Sequence, residues 1–279
     1  MQKFVEQKFI GERAMFGVKD AEFERCGFAA GESPLKHGQN LRLKNCTFEW
    51  KYPLWYTKNV AVEGGFLMQT ARAGIWYAQD VSFKDTLIQA PKSFRRCQNV
   101  RLENVNLTQA EETLWSCADV EVKNVCARGD YFAMNCENVR VYGLNLDGNY
   151  GFDGCKNVLV EDSKLLSKDA FWNCENVTVR NSFISGEYLA WNSKNVTFEN
   201  CVIESLQGLC YVQNLVLRGC QTLDTTLAFE YSSVDAEILG GIASVKNPLS
   251  GVIRAKEIGE IIIDKECVDP AATRIILEK

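Results

Sequence analysis

Short blocks in which apolar and polar positions alternate recur along the whole chain. NVLVEDSKL from Asn157, NVTVRNSFI from Asn176 and NVTFENCVI from Asn195 are three of them, each nineteen residues after the last. Every block opens on Asn or Asp, and this anchor recurs as Asp20, Asn40, Asn59, Asp80, Asn99, Asp119, Asn138, Asn157, Asn176, Asn195, Asn214 and Asp235. The steps are 19 to 21 residues, most of them 19. The first and third residues after the anchor are apolar in nearly every block (Leu41/Leu43, Val100/Leu102, Val177/Val179), while the second and fourth are mostly polar. That is the period-2 signature of a half-buried strand. The fifth is usually Asn, Asp or Gly, residues that tolerate the positive φ of a sharp turn. A second short strand is expected around Phe48, Leu107, Ile184 and Ile203. A third carries Leu54, Ile75, Phe94, Leu114, Phe152 and Phe171, five residues before the next anchor.

Three short strands per repeat predict an all-β chain, a right-handed parallel β-helix (β-solenoid) of about 19 residues per coil. A leucine-rich repeat overlaps in period but needs an LxxLxLxxN spacing that is absent, and a left-handed helix needs a six-residue rhythm that is absent too. No linker or shift in composition divides the chain, so one domain is expected over 1–279. Residues 1–19 form the N-terminal cap and first coil, 20–246 the regular coils, and 247–279 a C-terminal cap opening at NPLSG.

Composition narrows the function more than it names one. A hydrophobic share of 46% supplies a long core, and a net charge of −5 leaves no basic face for nucleic acid. The opening MQKFVEQKFI has no apolar core of a signal peptide, and no long apolar run follows, so a cytoplasmic address without membrane contact is expected. Of the twelve cysteines, Cys97, Cys117, Cys136, Cys155 and Cys174 lie two residues before an anchor, and Cys26, Cys46, Cys201 and Cys220 six after one. No CxxC occurs. Reduced, inward thiols are therefore expected, with no metal and no cofactor.

Stacking turns each repeat position into a column. Four residues after the anchor the charge alternates (Glu103, Lys123, then Glu161, Arg180, Glu199, Arg218), which predicts an ion-pair ladder on a solvated face. Four residues before the anchor the column reads Phe16, Lys36, Trp55, Trp76, Arg95, Trp115, Met134, Asp153, Trp172, Trp191, Cys210, Tyr231. Five of six tryptophans fall there. Because Lys36, Arg95 and Asp153 share it, it is expected to face outward, flanked by Tyr52, Lys92, Glu112, Tyr131, Tyr150, Asp169 and Tyr188 seven residues before the anchor. An exposed aromatic strip marks a candidate site. Lys36, Trp55, Trp76, Arg95, Trp115, Asp153, Trp172 and Trp191 are its candidate ligand-binding residues. Glu111 and Asp130 occupy equivalent places in successive coils and, with Asp153 and Arg95, are the candidates for acid–base chemistry.

The segments QKFIGERAMFG from Gln7, GESPLK from Gly31, WKYPLWY from Trp50 and AGIWY from Ala73 resemble a bacterial family of similar length. That family is a domain of unknown function on a pectin-lyase-like right-handed β-helix. The resemblance implies the fold and supplies no active residues, and fold does not fix function. The leading expectation is an oligosaccharide or similar ligand on the aromatic face. The alternatives are a polysaccharide-active hydrolase or lyase, and an interaction scaffold that pairs with a second copy through the same face.

Overall fold

Alternation of the NVTVRN kind places every second side chain on one face, and such a strand is stable only when that face is covered. Here each coil covers the one before it. The structure, a computed structural model, describes residues 1–278. It is an all-β, right-handed parallel β-helix of about 19 residues per coil. Among the described residues the only helical segment is a single 3-10 turn at Gln69–Ala71. Two compact units divide the chain, Met1–Asn145 and a second from Leu146.

In the first unit, strands Lys19–Glu24, Gln39–Lys44, Lys58–Glu63, Gln79–Lys84 and Gln98–Glu103 pair in parallel in that order. Their register stacks Ala21, Leu41, Val60, Val81 and Val100 in one buried column. The short strands Thr47–Phe48, Phe66–Leu67, Leu87–Ile88 and Asn106–Leu107 form a second face. Ile75–Trp76, Phe94–Arg95, Leu114–Trp115 and Ala133–Met134 form a third. Aromatic core positions also stack: Phe28 lies 5.3 Å from Phe9 and 5.1 Å from Phe48, ring on ring.

The second unit repeats the scheme with Lys156–Glu161, Glu175–Arg180, Lys194–Glu199 and Gln213–Thr226, which stack Val158, Val177, Val196 and Leu215. The charge ladder closes here, with Arg180 bridging Glu161 at 3.6 Å and Glu199 at 2.6 Å. The segment from Asn247, expected as a cap, pairs in parallel as well. Ser250–Ala255 lies on Ser233–Ile238, and Thr273–Leu277 lies on Ser250–Ala255. Coil length changes at this point, because Val234 meets Gly251 and Gly251 meets Thr273.

Each coil turns through the left-handed region more often than the anchor pattern predicts. Between Asp80 and Asn99, positive φ occurs at Asp80 (53°), Asp85 (50°), Lys92 (56°) and Arg96 (51°). The first two positions are the Asn/Asp/Gly positions of the sequence pattern, but the last two take large side chains.

The anchors form amide ladders. Asn176 donates to the Asn157 side-chain oxygen at 3.0 Å, Asn195 to Asn176 at 2.8 Å, and Asn214 to Asn195 at 3.0 Å. A carboxylate accepts but cannot donate, so Asp can begin such a run and never extend it. Asp20 begins the run continued by Asn40 and Asn59, and Asp80 accepts from Asn99. At Asp235 arginines replace the amide, with Arg218 at 2.5 Å and Arg254 at 3.0 Å.

The thiols point inward as expected, and they are also donors. Cys97 Sγ lies 2.9 Å from the Ile75 carbonyl and Cys174 Sγ 2.8 Å from that of Phe152. Serine takes over the duty in two later coils, Ser193 to Phe171 at 2.6 Å and Ser232 to Leu209 at 2.8 Å, with Val212 in the coil between them. Ser and Cys both donate to a buried carbonyl from this column, while Ala78 and Val212 fill the same position with no side-chain donor. Burial pushes the Cys46 thiol up to about 11 and the Cys210 thiol up to about 12, so both stay protonated. All twelve cysteines are free, and only Cys126 and Cys267 are exposed.

Two outcomes are expected. Replacing Asn176 by Ala should cost about 1–3 kcal/mol, because it removes two ladder bonds and puts a residue without asparagine's tolerance of the left-handed region at φ of 59°. Replacement by Gly should cost less, since only the bonds are lost, and denaturant midpoints would separate the two. In thiol titration, Cys126 and Cys267 should react in the native protein and the ten buried thiols only after denaturation.

Candidate functional site

The third face of the first unit carries the column four residues before the anchor. Parallel register sets Arg95 directly between Trp76 and Trp115. Its guanidinium lies 4.5 Å from the Trp76 ring and 4.7 Å from the Trp115 ring. Trp76 stacks in turn on Trp55 at 5.1 Å with ring planes 9° apart, and Lys36 Nζ sits 5.6 Å over Trp55. The column is thus a cation, two indoles, a cation and an indole, each covering the face of the next. Backbone carbonyls fix the rings, Trp55 Nε1 donating to Ala73 at 2.5 Å and Trp76 Nε1 to Lys92 at 3.0 Å. All three tryptophans are half-buried and present edges outward, because their faces are used inside the stack.

Glu112 anchors this stack. It accepts from Arg95 and from Lys92, each at 3.0 Å. Arg95 Nε is buried without a partner. Glu111 and Asp130 do fall on successive coils, where the Glu112 amide donates to the Asp130 carbonyl at 3.0 Å, but both side chains are exposed. Glu112, one residue from the candidate Glu111, carries the ion pairs to Arg95 and Lys92.

The column beside it is also self-stacked. His37 lies on Tyr56 at 5.1 Å, Tyr56 on Tyr77 at 4.9 Å, and Arg96 caps Tyr77 at 6.0 Å.

The second unit builds the same columns differently. Tyr150 and Asp153 stand three residues apart on one coil, Asp169 and Trp172 on the next, and Tyr188 and Trp191 on the one after. Register is held by backbone bonds, including Phe152 N to Ala170 O at 2.9 Å and Asp169 N to Glu187 O at 2.8 Å. Aromatic and carboxyl groups therefore alternate along and across the first two of these coils, and the third carries two rings. Tyr150 and Trp172 are tilted at 31° with centroids 5.8 Å apart, and Tyr188 meets Trp191 edge-on at 89°. Trp191 also meets Tyr211 at 4.6 Å with the planes tilted at 42°, and Lys168 Nζ lies 5.1 Å over the Tyr188 ring. Gly186 makes the approach possible, since a Cβ there would sit 2.2 Å from the Ser167 carbonyl oxygen.

Two carboxyls are perturbed in this patch. Burial pushes the Asp169 carboxyl up to about 6, opposed by Lys168 and helped by Glu187 and Asp153. Burial raises Asp153 as well, partly offset by an amide bond from Asn173 at 3.5 Å. Asp169 is only 6% exposed. It was visible in the sequence as a column member but not as Asp153's neighbour. The signal is a carboxylate sixteen residues after another, one coil on and three residues back.

Comparison with known proteins places the chain in a family. A model described as a protein of unknown function (DUF3737) matches residues 2–276. The chain belongs to that family. No curated protein matches it. Among solved structures it is similar to PfbA, a surface adhesin of Streptococcus pneumoniae, with 11% identity, a TM-score of 0.38, and 87% of this chain and 70% of that one covered. It is similar to a tailspike protein of E. coli bacteriophage HK620 in complex with pentasaccharide (8%, 0.37, 88% and 65%). It is also similar to the A-module of the Azotobacter vinelandii mannuronan C-5 epimerase AlgE4 (10%, 0.31, 98% and 87%). No residue role passes from them to this chain. Among the described residues no helix is long and apolar enough to cross a membrane.

The raised Asp169 carboxyl sets a stability prediction. Its folded pKa lies above its unfolded one, so the folded state holds the proton more tightly, and stability declines as pH rises from the ordinary Asp range through about 6. Asp169→Asn should therefore stabilise the protein by about 1–3 kcal/mol above that window and by almost nothing below it. Denaturation midpoints of both proteins across pH would check this.

Proposed function

We propose that this chain binds a carbohydrate or glycan-like ligand on its aromatic and charged face. The principal contacts are Tyr150, Asp153, Asp169, Trp172, Tyr188 and Trp191. One observation carries the reading: in this patch tilted rings alternate with carboxyls that burial has perturbed. Sugars present both apolar faces and hydroxyl donors, and a surface that interleaves ring and acceptor meets both. Taken by itself, the first unit offers only the ring edges and charges of Lys36, Trp55, Trp76, Arg95 and Trp115, since their faces are occupied by one another. Twelve free thiols support a reducing, cytoplasmic compartment.

Tryptophan fluorescence during titration with a panel of oligosaccharides tests the reading. A spectral shift is expected with at least one sugar, and Trp172→Ala should weaken it by about tenfold or more. If no sugar shifts the spectrum and sedimentation shows a concentration-dependent dimer, the face belongs to a second copy and the glycan reading fails. Product formation lost in Glu111→Gln or Asp130→Asn would move the chemistry to the first unit.

A further inference from the structure

The chain carries a net charge of −5, yet that charge is unevenly placed. From Phe16 to Asn135, the columns four and three residues before the anchor contain Lys36, Arg95 and Arg96 and no Asp or Glu. Lys36 and Arg96 have no carboxylate within ion-pair reach among the described residues, and Arg95 shares Glu112 with Lys92. These cations rest on rings instead. Lys36 Nζ lies 5.6 Å over Trp55 and 5.4 Å over Tyr56. The Arg95 guanidinium lies 4.5 Å from the Trp76 ring, and that of Arg96 lies 6.0 Å over Tyr77.

An aromatic ring is negative on its faces and positive at its edge. Trp55 stacks on Trp76 and Tyr56 on Tyr77, with a cation at each end of both pairs, so the negative faces are covered. Ring edges, two tyrosine hydroxyls and uncompensated cationic charge remain, a surface of one sign. Lys36 and Arg95 stand three coils apart, about 14 Å, so a ligand that repeats its charge can meet both ends of the ring run.

Resting on the glycan-binding reading, we infer that the first unit takes an anionic glycan, whose carboxylate or sulfate groups pair with Lys36, Arg95 and Arg96. Hydroxyls of the same sugar meet Tyr56 and Tyr77. Single-stranded nucleic acid is the other extended polyanion, but it binds by laying bases on ring faces, and here those faces are occupied. Asp153 and Asp169 of the second unit carry the opposite sign, so the charge preference belongs to the first unit.

Calorimetric titration of the whole chain at low salt with dextran, carboxymethyl dextran and dextran sulfate of equal length tests the inference. At least one charged form should bind about tenfold tighter than dextran, and the preference should fade as salt is added. The two derivatives tell carboxylate from sulfate. Lys36→Gln and Arg96→Gln should each weaken the charged form about fivefold and leave dextran unchanged. Arg101→Gln removes an arginine that pairs with Glu121 on another face and should change nothing, and Trp172→Ala should keep the preference. Dextran, or any neutral sugar of the wider panel, bound as tightly as the charged forms overturns the anion inference and leaves glycan binding standing. A preference that survives Lys36→Gln combined with Arg96→Gln, or that is lost in Trp172→Ala, overturns it too. So does an oligothymidylate that binds as tightly as the charged dextrans. Binding by none of the three dextrans, nor by any sugar of the wider panel, overturns both.

Discussion

Parallel, in-register hydrogen bonding between coils sets each residue about 4.8 Å from its counterpart one repeat away. A side chain's closest partner is therefore decided by the residue about nineteen positions earlier or later, and every column must be compatible with itself. Valines on valines and phenylalanines on phenylalanines meet that demand through apolar contact. Polar columns meet it by alternating charge, as in Glu161, Arg180 and Glu199. Cys97 and Cys174 meet it by donating inward to carbonyls of the preceding coil.

The two units use one column to different ends because different residues fill the same slot. Arg95 in the first unit sits between two indoles and completes a self-satisfied stack. Its second-unit counterpart Asp153 brings a carboxyl to the same slot and repels the neighbouring Asp169. A position that closes a surface in one unit leaves it chemically open in the other. The binding proposed for the second unit rests on this local failure of columnar complementarity rather than on an added loop.

The period, the anchors, the inward thiols and the strand register were legible in the sequence, since each is a spacing and spacing survives without coordinates. The ring stack of Trp55, Trp76, Arg95 and Trp115 was legible only as an outward column. Whether indoles show faces or edges depends on side-chain rotation, which a one-dimensional pattern does not carry. The Asp153–Asp169 neighbourhood was missed because it joins two columns diagonally. The coils beyond Asn247 were missed because their spacing departs from nineteen, so the anchor search lost its phase. Left-handed turns at Lys92 and Tyr150 give no compositional signal, as neither residue is a usual occupant of that region.

The amide ladders also give the molecule a way to age. Hydrolysis of a side-chain amide converts Asn to Asp and removes the only donor by which that rung reaches the coil before it. At Asn176 such damage would cut the bond to Asn157 while sparing the one received from Asn195, so the run would split into two. The Asp residues that begin a run have no amide to lose. Wear would thus accumulate in the interior of each ladder and always sever the same side of the damaged rung.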